Sequence, residues 1–162
     1  VSLVIERLAS HHARAEFRSG VEPLDRYFQT QASQDVRRRV SACFVAVDQV
    51  RTVAGYYTLA MSGVLLSDLP KEQAKGLPRY PTVPVARLGR LAVDERWRNR
   101  GLGGALLWDA VERAARAEIA AYALLVDAKD DAAGAFYRHH GFLTLGSDAR
   151  TLFLPLASAV PK

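Results

Sequence analysis

The apolar, β-rich run Val85 to Val93 passes straight into Asp94-Glu95-Arg96-Trp97-Arg98-Asn99-Arg100-Gly101-Leu102-Gly103-Gly104 and then into an amphipathic stretch. A strand, a glycine turn and a helix in that order commit the chain to an α/β arrangement, because the helix must lay its apolar side on a sheet. The helix is predicted from about Gly101 to Glu118. Leu107, Ala110, Val111 and Ala114 fall on one side of it, and Asp109, Glu112, Arg113 and Arg116 form a polar stripe on the other.

The rest of the pattern extends this unit in both directions. Leu3 to Leu8 alternates weakly as a first strand, and apolar spacing from Pro23 predicts one helix through about Arg39, ending in the cations Arg37, Arg38 and Arg39. Cys43–Val47 and Val53–Ala60 read as a hairpin around a polar turn at Asp48 to Thr52, and Gly63–Leu69 reads as a further strand. The proline-rich stretch Pro70 to Pro84 is expected to be loop. Tyr122–Val126 is a buried-type strand, and Asp130 opens a helix that Gly141 closes with a left-handed cap. Phe142–Leu145 and Thr151–Leu154 complete the set as two strands around a turn at Asp148. The expectation is a single domain over residues 1–162: a mixed central sheet of about six or seven strands flanked by helices.

Composition narrows the function classes. Of 162 residues, 49% are hydrophobic, which suits one folded core, and 22 Lys plus Arg against 17 Asp plus Glu leave a net charge of +5, a bias toward anionic partners. The single cysteine, Cys43, excludes a disulfide framework and a multi-cysteine metal site, so no metal is implied. No stretch approaches the roughly 18 apolar residues of a membrane span, and Val1 to Glu6 has no basic flank ahead of an apolar run. A soluble, unexported, cytoplasmic protein is expected.

The sharpest chemical feature is Arg98-x-x-Gly101-x-Gly103-Gly104. Unpaired N–H groups and the positive end of the helix dipole make such a turn an anion site suited to a diphosphate. On its own, a glycine turn that merely caps a helix explains it equally well. The turn lacks the Lys-Ser/Thr of a P-loop and the glycine spacing of a dinucleotide fingerprint, so neither an NTPase nor a dehydrogenase is indicated. Periodicity alone makes Tyr137 a core aromatic on a face shared with Phe136 and His140.

Leu88-Gly89-Arg90-Leu91-Ala92-Val93, the turn Arg98 to Gly103, and Ala135-Phe136-Tyr137-Arg138-His139-His140-Gly141-Phe142 together resemble the GCN5-related N-acetyltransferase (GNAT) superfamily. Gly20-Val21-Glu22-Pro23-Leu24-Asp25-Arg26-Tyr27-Phe28 and Gly55-Tyr56-Tyr57 bring the resemblance closer to the acetyltransferase toxins of bacterial toxin–antitoxin modules. The resemblance implies acetyl-CoA as donor, its diphosphate on Arg98, Asn99, Arg100, Gly101, Gly103 and Gly104, and its pantetheine arm along Leu91, Ala92 and Val93. Phe136 joins this cofactor-binding set. It implies Tyr137 as general acid, aminoacyl-tRNA as the acceptor of the acetyl group, a ribbon-helix-helix antitoxin, and a homodimer. A housekeeping acetyltransferase acting on a small amine or a protein N-terminus is the alternative, and a non-catalytic acyl-CoA-binding module is a third.

A phenol near pKa 10 can protonate a thiolate whose acid is near 8.5, and backbone N–H groups at Ala92 or Val93 could receive charge on the thioester oxygen. No general base stands out: Asp94, Glu95 and Asp127 stay open as bases, although solvated loop acids or helix-start charges are the commoner reading of such residues. An α-amine, with pKa about 7.7–8.0, needs less help than a lysine at about 10.4. Arg87 and Arg90 lie inside an apolar strand and on opposite faces, so each must reach an edge, a partner or a ligand. With Arg37, Arg38 and Arg39, and with Lys71, Lys75 and Arg79 of the loop, they are the candidate RNA contacts, a solvated face being the commoner reading of such a helix-end run. Cys43 reads as a buried structural thiol, and His11 and His12 as residues of a solvated loop.

Overall fold

The computed structural model describes residues 2–159, so Val1 and residues 160–162, the ends of the expected domain, lie outside the description. The elements in order are β1 (Val4–Arg7), α1 (Glu22–Thr30), α2 (Ala32–Arg37), β2 (Ala42–Val47), β3 (Val53–Leu65), α3 (Lys71–Ala74), β4 (Thr82–Val93), α4 (Leu102–Arg116), β5 (Ala123–Asp127), α5 (Asp131–His139), β6 (Leu143–Leu145), β7 (Asp148–Pro155) and α6 (Leu156–Ala159). The strands form one seven-stranded sheet in the order β1-β2-β3-β4-β5-β7-β6. Its β4–β5 pair is parallel and its β1–β2, β2–β3, β5–β7 and β6–β7 pairings are antiparallel or hairpin-like, giving the expected mixed sheet. No helix among the described residues is long and apolar enough to cross a membrane.

Contacts gather the chain into two compact units. The first comprises the chain up to Ala60 with Gly89–Ala110, and the second Met61–Leu88 with the chain from Val111 onward. In the first, Phe17, Tyr27, Phe28, Cys43, Val45, Val53, Tyr56 and Ala92 form the core. The Phe28 and Tyr56 rings stack at 4.4 Å and Phe17 meets both edge-on, the offset geometries that aromatic quadrupoles favour. In the second, Val64, Val83, Val85, Ala123, Leu125 and Phe153 pack together. Val85–Leu88 register with Ala123–Val126, and the unbroken burial of that β5 segment is what a parallel strand covered on both faces requires.

Three expectations are corrected. The single helix Pro23–Arg39 is two helices, broken at Gln31 (φ −119°, ψ −30°). Tyr27 Oη donates to Asp35 at 2.7 Å, eight residues on; a straight helix would hold those Cα atoms about 12 Å apart, and the break brings the side chains into reach. Asp35 also accepts from Gln31 Nε2 at 3.0 Å. Arg39 then adopts φ 61° while the Val40 N–H reaches Asp35 O and the Arg39 N–H reaches Val36 O, a left-handed cap made without glycine.

The two strands expected at Val53–Ala60 and Gly63–Leu69 are instead one continuous β3 of 13 residues, followed by a 3-10 turn at Leu66–Asp68. Gly63 does not interrupt it: a Cβ there would lie 2.9 Å from Thr82 Cγ2, so the glycine serves close strand approach. The expected loop Pro70–Pro84 contains α3, and β4 begins already at Thr82. Pro84 is accommodated because its carbonyl, not a missing N–H, is used, accepting from Tyr122 N at 2.8 Å.

Candidate functional site

In the first unit the glycine turn is built from Asp94 onward. Asp94 is buried and caps a 3-10 turn at Glu95–Trp97, accepting from the Arg96 N–H and Nε at 2.9 Å each and from the Arg18 N–H at 3.1 Å. Burial pushes its carboxyl up, but the bonds from Arg96 and Arg18 outweigh that and hold it below the ordinary carboxylate range. Asp94 is therefore a structural anion whose lone pairs are occupied, a charge at a helical start rather than a base. Glu95 is exposed, with its N–H on Arg18 O and its carboxylate 3.6 Å from Arg98.

Past Arg98 the backbone turns left-handed at Asn99 (φ 62°) and again at Gly101 (φ 79°), and α4 starts at Leu102. Such positions aim successive N–H groups into one concavity, and the first N–H groups of α4 add to it. A Cβ on Gly101 would meet nothing within 4 Å, so its requirement is conformational. Gly55 is the opposite case: a Cβ there would lie 2.9 Å from both Ala92 O and Leu106 Cδ1, so its absence lets the start of α4 seat closely. Arg98, Arg100 and Asn99 are exposed. The Arg98 guanidinium donates to Ser19 O at 2.7 Å, while the Arg100 guanidinium lies 5.0 Å from the Trp97 ring beside a cavity of about 280 Å³ lined by Leu3, Trp97, Gly101, Leu102 and Ala105.

Arg87 and Arg90, the two RNA candidates on the central strand, separate sharply in their surroundings. Arg90 sits 3.4 Å above the Tyr27 ring and makes no ion pair among the described residues, whereas Arg87 is paired with Asp127, whose other oxygen accepts from Thr151 Oγ1 at 3.0 Å. Arg37 and Arg38 are exposed at the end of α2. Cys43 is buried, and that burial pushes its thiol up to about 12, the reverse of what an acyl carrier needs.

In the second unit, α5 carries Phe136 and Tyr137. Asp130 caps it by accepting from the Ala133 N–H at 2.8 Å, and Gly141 ends it at φ 93°. Tyr137 is 9% exposed, its ring 5.2 Å from Phe136 and 5.4 Å from Phe142. Burial raises its hydroxyl to about 12. Tyr27, Tyr56 and Tyr57 donate their hydroxyls to Asp35, Leu24 O and Asp109 respectively; among the described residues no group bonds Tyr137 Oη. The Tyr57 bond at 2.5 Å ties Asp109, a member of the polar stripe on α4, to β3.

Sequence reasoning missed two polar centres of the first unit. Asp25, buried in α1, accepts from the Ser19 N–H at 3.0 Å and from Ser19 Oγ at 2.6 Å. His12 is buried rather than solvated: its Nδ1 accepts from the Ala9 N–H at 2.9 Å, which places its proton on Nε2, 2.7 Å from Glu6. His11 completes a group of metal-ligating types, but the Nε2 of His12 is directed at Glu6 as a donor and offers no lone pair to a cation. The only local sequence signal is that of the first centre, an acid in the first turn of a helix; Glu6 and His12 lie on β1 and in the loop after it.

The profile of the Acetyltransferase (GNAT) family matches residues 6–142. The tRNA-acetylating toxin of Mycobacterium tuberculosis (strain ATCC 25618 / H37Rv) is 39% identical over 145 residues, spanning 88% of this chain and 86% of that protein. The solved structure of AtaT complexed with acetyl-methionyl-tRNAfMet matches with a TM-score of 0.90 at 30% identity, over 97% of this chain and 96% of that one. A tyrosine-to-phenylalanine mutant of the toxin AtaT, bound to the C-terminus of the antitoxin AtaR and acetyl-CoA, matches with a TM-score of 0.80 at 26% identity over 97% and 95%.

Proposed function

The chain belongs to the acetyltransferase (GNAT) family, and from that premise we propose that it moves the acetyl group of acetyl-CoA onto the α-amino group of an aminoacyl-tRNA, as the translation-blocking toxin of a toxin–antitoxin module. The similarity to a tRNA-acetylating toxin and to AtaT with an acetylated aminoacyl-tRNA supports this acceptor over a small amine or a protein N-terminus. The partner is an antitoxin of the ribbon-helix-helix type, the assembly a homodimer, and the compartment the cytoplasm.

The turn fits the donor on its own chemistry. Left-handed Asn99 and Gly101 followed at once by the start of α4 supply a concavity of N–H groups for a diphosphate, with Arg98, Arg100, Gly103 and Gly104 completing it. Leu91, Ala92 and Val93 would lie along the pantetheine arm, and an N–H at Ala92 or Val93 would receive charge on the thioester oxygen. Bound acetyl-CoA supplies an activated carbonyl and a thiolate leaving group. Tyr137 Oη holds the proton for that sulfur. A hydroxyl raised to about 12 is protonated at neutral pH: it gives its proton to the sulfur as the C–S bond breaks, and the tyrosinate recovers one from the ammonium that the attacking amine becomes, so amide and free thiol leave together. Phe136 packs beside it and keeps the ring in place.

The observation that carries this chemistry is the free Tyr137 hydroxyl on a buried ring, set against three buried tyrosines whose hydroxyls are engaged. Asp94 is bonded away from base duty, which suits an α-amine that is partly neutral already. Arg90, which lies over the Tyr27 ring and makes no ion-pair contact among the described residues although Asp35 feels its charge, is the phosphate contact on the central strand, joined by Arg37 and Arg38. Arg87 contributes less, since Asp127 neutralises it.

The test is transfer from labelled acetyl-CoA to total charged tRNA, with uncharged tRNA and free amino acids as controls. The proposal expects label on charged tRNA alone. Label on free amines with none on charged tRNA would overturn it in favour of a small-amine acetyltransferase.

A further inference from the structure

The segment Gly20 to Phe28 is singled out by sequence but has no part in the chemistry above, and its surroundings give it one. Ser19 is fixed by Asp25, whose carboxylate takes both the Ser19 N–H, at 3.0 and 3.1 Å, and Ser19 Oγ, at 2.6 Å. The Ser19 carbonyl, held in this way, accepts the Arg98 guanidinium at 2.7 Å. One residue back, Arg18 pairs its own backbone with the same turn: its N–H donates to Asp94 Oδ2 at 3.1 Å and its O accepts the Glu95 N–H at 2.8 Å. Arg98, the first residue of the Arg98–Gly104 turn, is thus tied through Ser19 to the first turn of α1, and Arg18 ties down Asp94 and Glu95 just before it.

Gly20 is the vulnerable position. It has φ +91°, and a Cβ there would overlap Arg98 Nη2 and lie 3.1 Å from Glu95 Oε1. The overlapped atom is the tip of a flexible side chain, so a methyl group would evict the guanidinium from Ser19 O rather than displace backbone.

We infer that Gly20 and Asp25 are positioning residues for acetyl-CoA, acting through Ser19 and Arg98 to fix the turn that takes its diphosphate. The inference rests on the reading of residues 98–104 as that site. It accounts for the Arg98 guanidinium turning to Ser19 O: the side chain braces the turn while the turn's backbone N–H groups face the anion. The left-handed backbone at position 20 is strained for any side chain, so stability and affinity must be read separately.

The experiment measures the acetyl-CoA dissociation constant by calorimetry, together with thermal melting, for the wild-type protein, Gly20→Ala, Arg98→Ala, the double variant and Gly103→Glu. Gly20→Ala is expected to weaken acetyl-CoA binding about tenfold, equivalent to about 1.4 kcal/mol. In the Arg98→Ala background the same change is expected to leave the constant nearly unmoved, because the side chain it evicts is gone, while the melting temperature still falls. Equal weakening in both backgrounds, or none in the wild type, overturns the inference. Gly103→Glu puts a carboxylate at the start of α4. If it weakens binding while Gly20→Ala does not, only the positioning role falls; if neither changes binding, the turn is not the acetyl-CoA site and the underlying reading falls with it.

Discussion

The turn at residues 94–104 and the tyrosine at 137 are built in opposite ways, each within its own unit. At the turn the side chains that set its start are engaged inside the protein: Asp94 by Arg18 and Arg96, and Arg98 by Ser19, which Asp25 holds in turn. At Tyr137 the reverse holds, with an apolar setting of Phe136 and Phe142 and a hydroxyl that no described residue bonds. A site that binds a fixed anion gains from a preorganised backbone, whereas a group that gives up a proton must keep its own bond free for the reaction. On the proposed function, the difference separates binding from chemistry along the chain.

The largest effect is expected at the tyrosine. Tyr137→Phe keeps the ring and loses only the hydroxyl, so kcat should fall by about 10²–10⁴, the usual worth of a positioned acid. Stability should stay within about 0.5 kcal/mol, because no protein bond is lost. A large drop in melting temperature would show that the hydroxyl is structural after all and would erase the contrast.

Asp94→Asn tests the other side. It removes the charge that receives Arg18 and Arg96, and should cost about 1–3 kcal/mol in denaturant unfolding at neutral pH. Because the folded carboxyl lies below its unfolded value near 3.9, its stabilisation is present above that value and is lost as pH falls through the folded one. The wild-type protein should therefore lose stability below about pH 4 more steeply than Asp94→Asn. Parallel acid curves would mean that Asp94 is not held as described.

Smaller effects sharpen the picture of charge. Arg90→Ala should reduce the salt dependence of tRNA binding by about one phosphate contact, and Arg87→Ala by distinctly less. Equal slopes would mean that Asp127 does not neutralise Arg87. Smallest of all, Cys43→Ala should leave acetyl transfer intact with a modest loss of stability, as measured by turnover and melting. Abolished turnover in a folded protein would bring a covalent acyl step back.

What could be read from sequence was set by local chemistry. The ends of α5 were legible because Asp130 and Gly141 act within a few residues of themselves. The placing of Arg87 and Arg90 on different faces followed from strand alternation, and they do meet different partners, a carboxylate and an aromatic ring. The break between α1 and α2 was not legible because it answers to the Tyr27–Asp35 bond, and Gly63 was misread because its need is set by Thr82, far along the chain. For the site, the glycine turn and Tyr137 stood out as motifs. The supports of the turn did not: Asp94 and Asp25 are ordinary acids until the Arg18 and Ser19 backbone comes to them, and His12 becomes a buried residue only once Ala9 and Glu6 close around it.

The most direct test of the central claim, that Tyr137 is the acid in acetylation of an α-amine, is the pH dependence of kcat/KM from pH 6 to 10, using an amide-linked, hydrolysis-resistant aminoacyl-tRNA. The account predicts a rise with an apparent pKa near the α-amine range of about 7.7–8.0, then a plateau to pH 10, because an acid raised to about 12 stays protonated throughout. A decline between pH 8 and 10 would contradict it, since the group losing its proton there could not be this tyrosine.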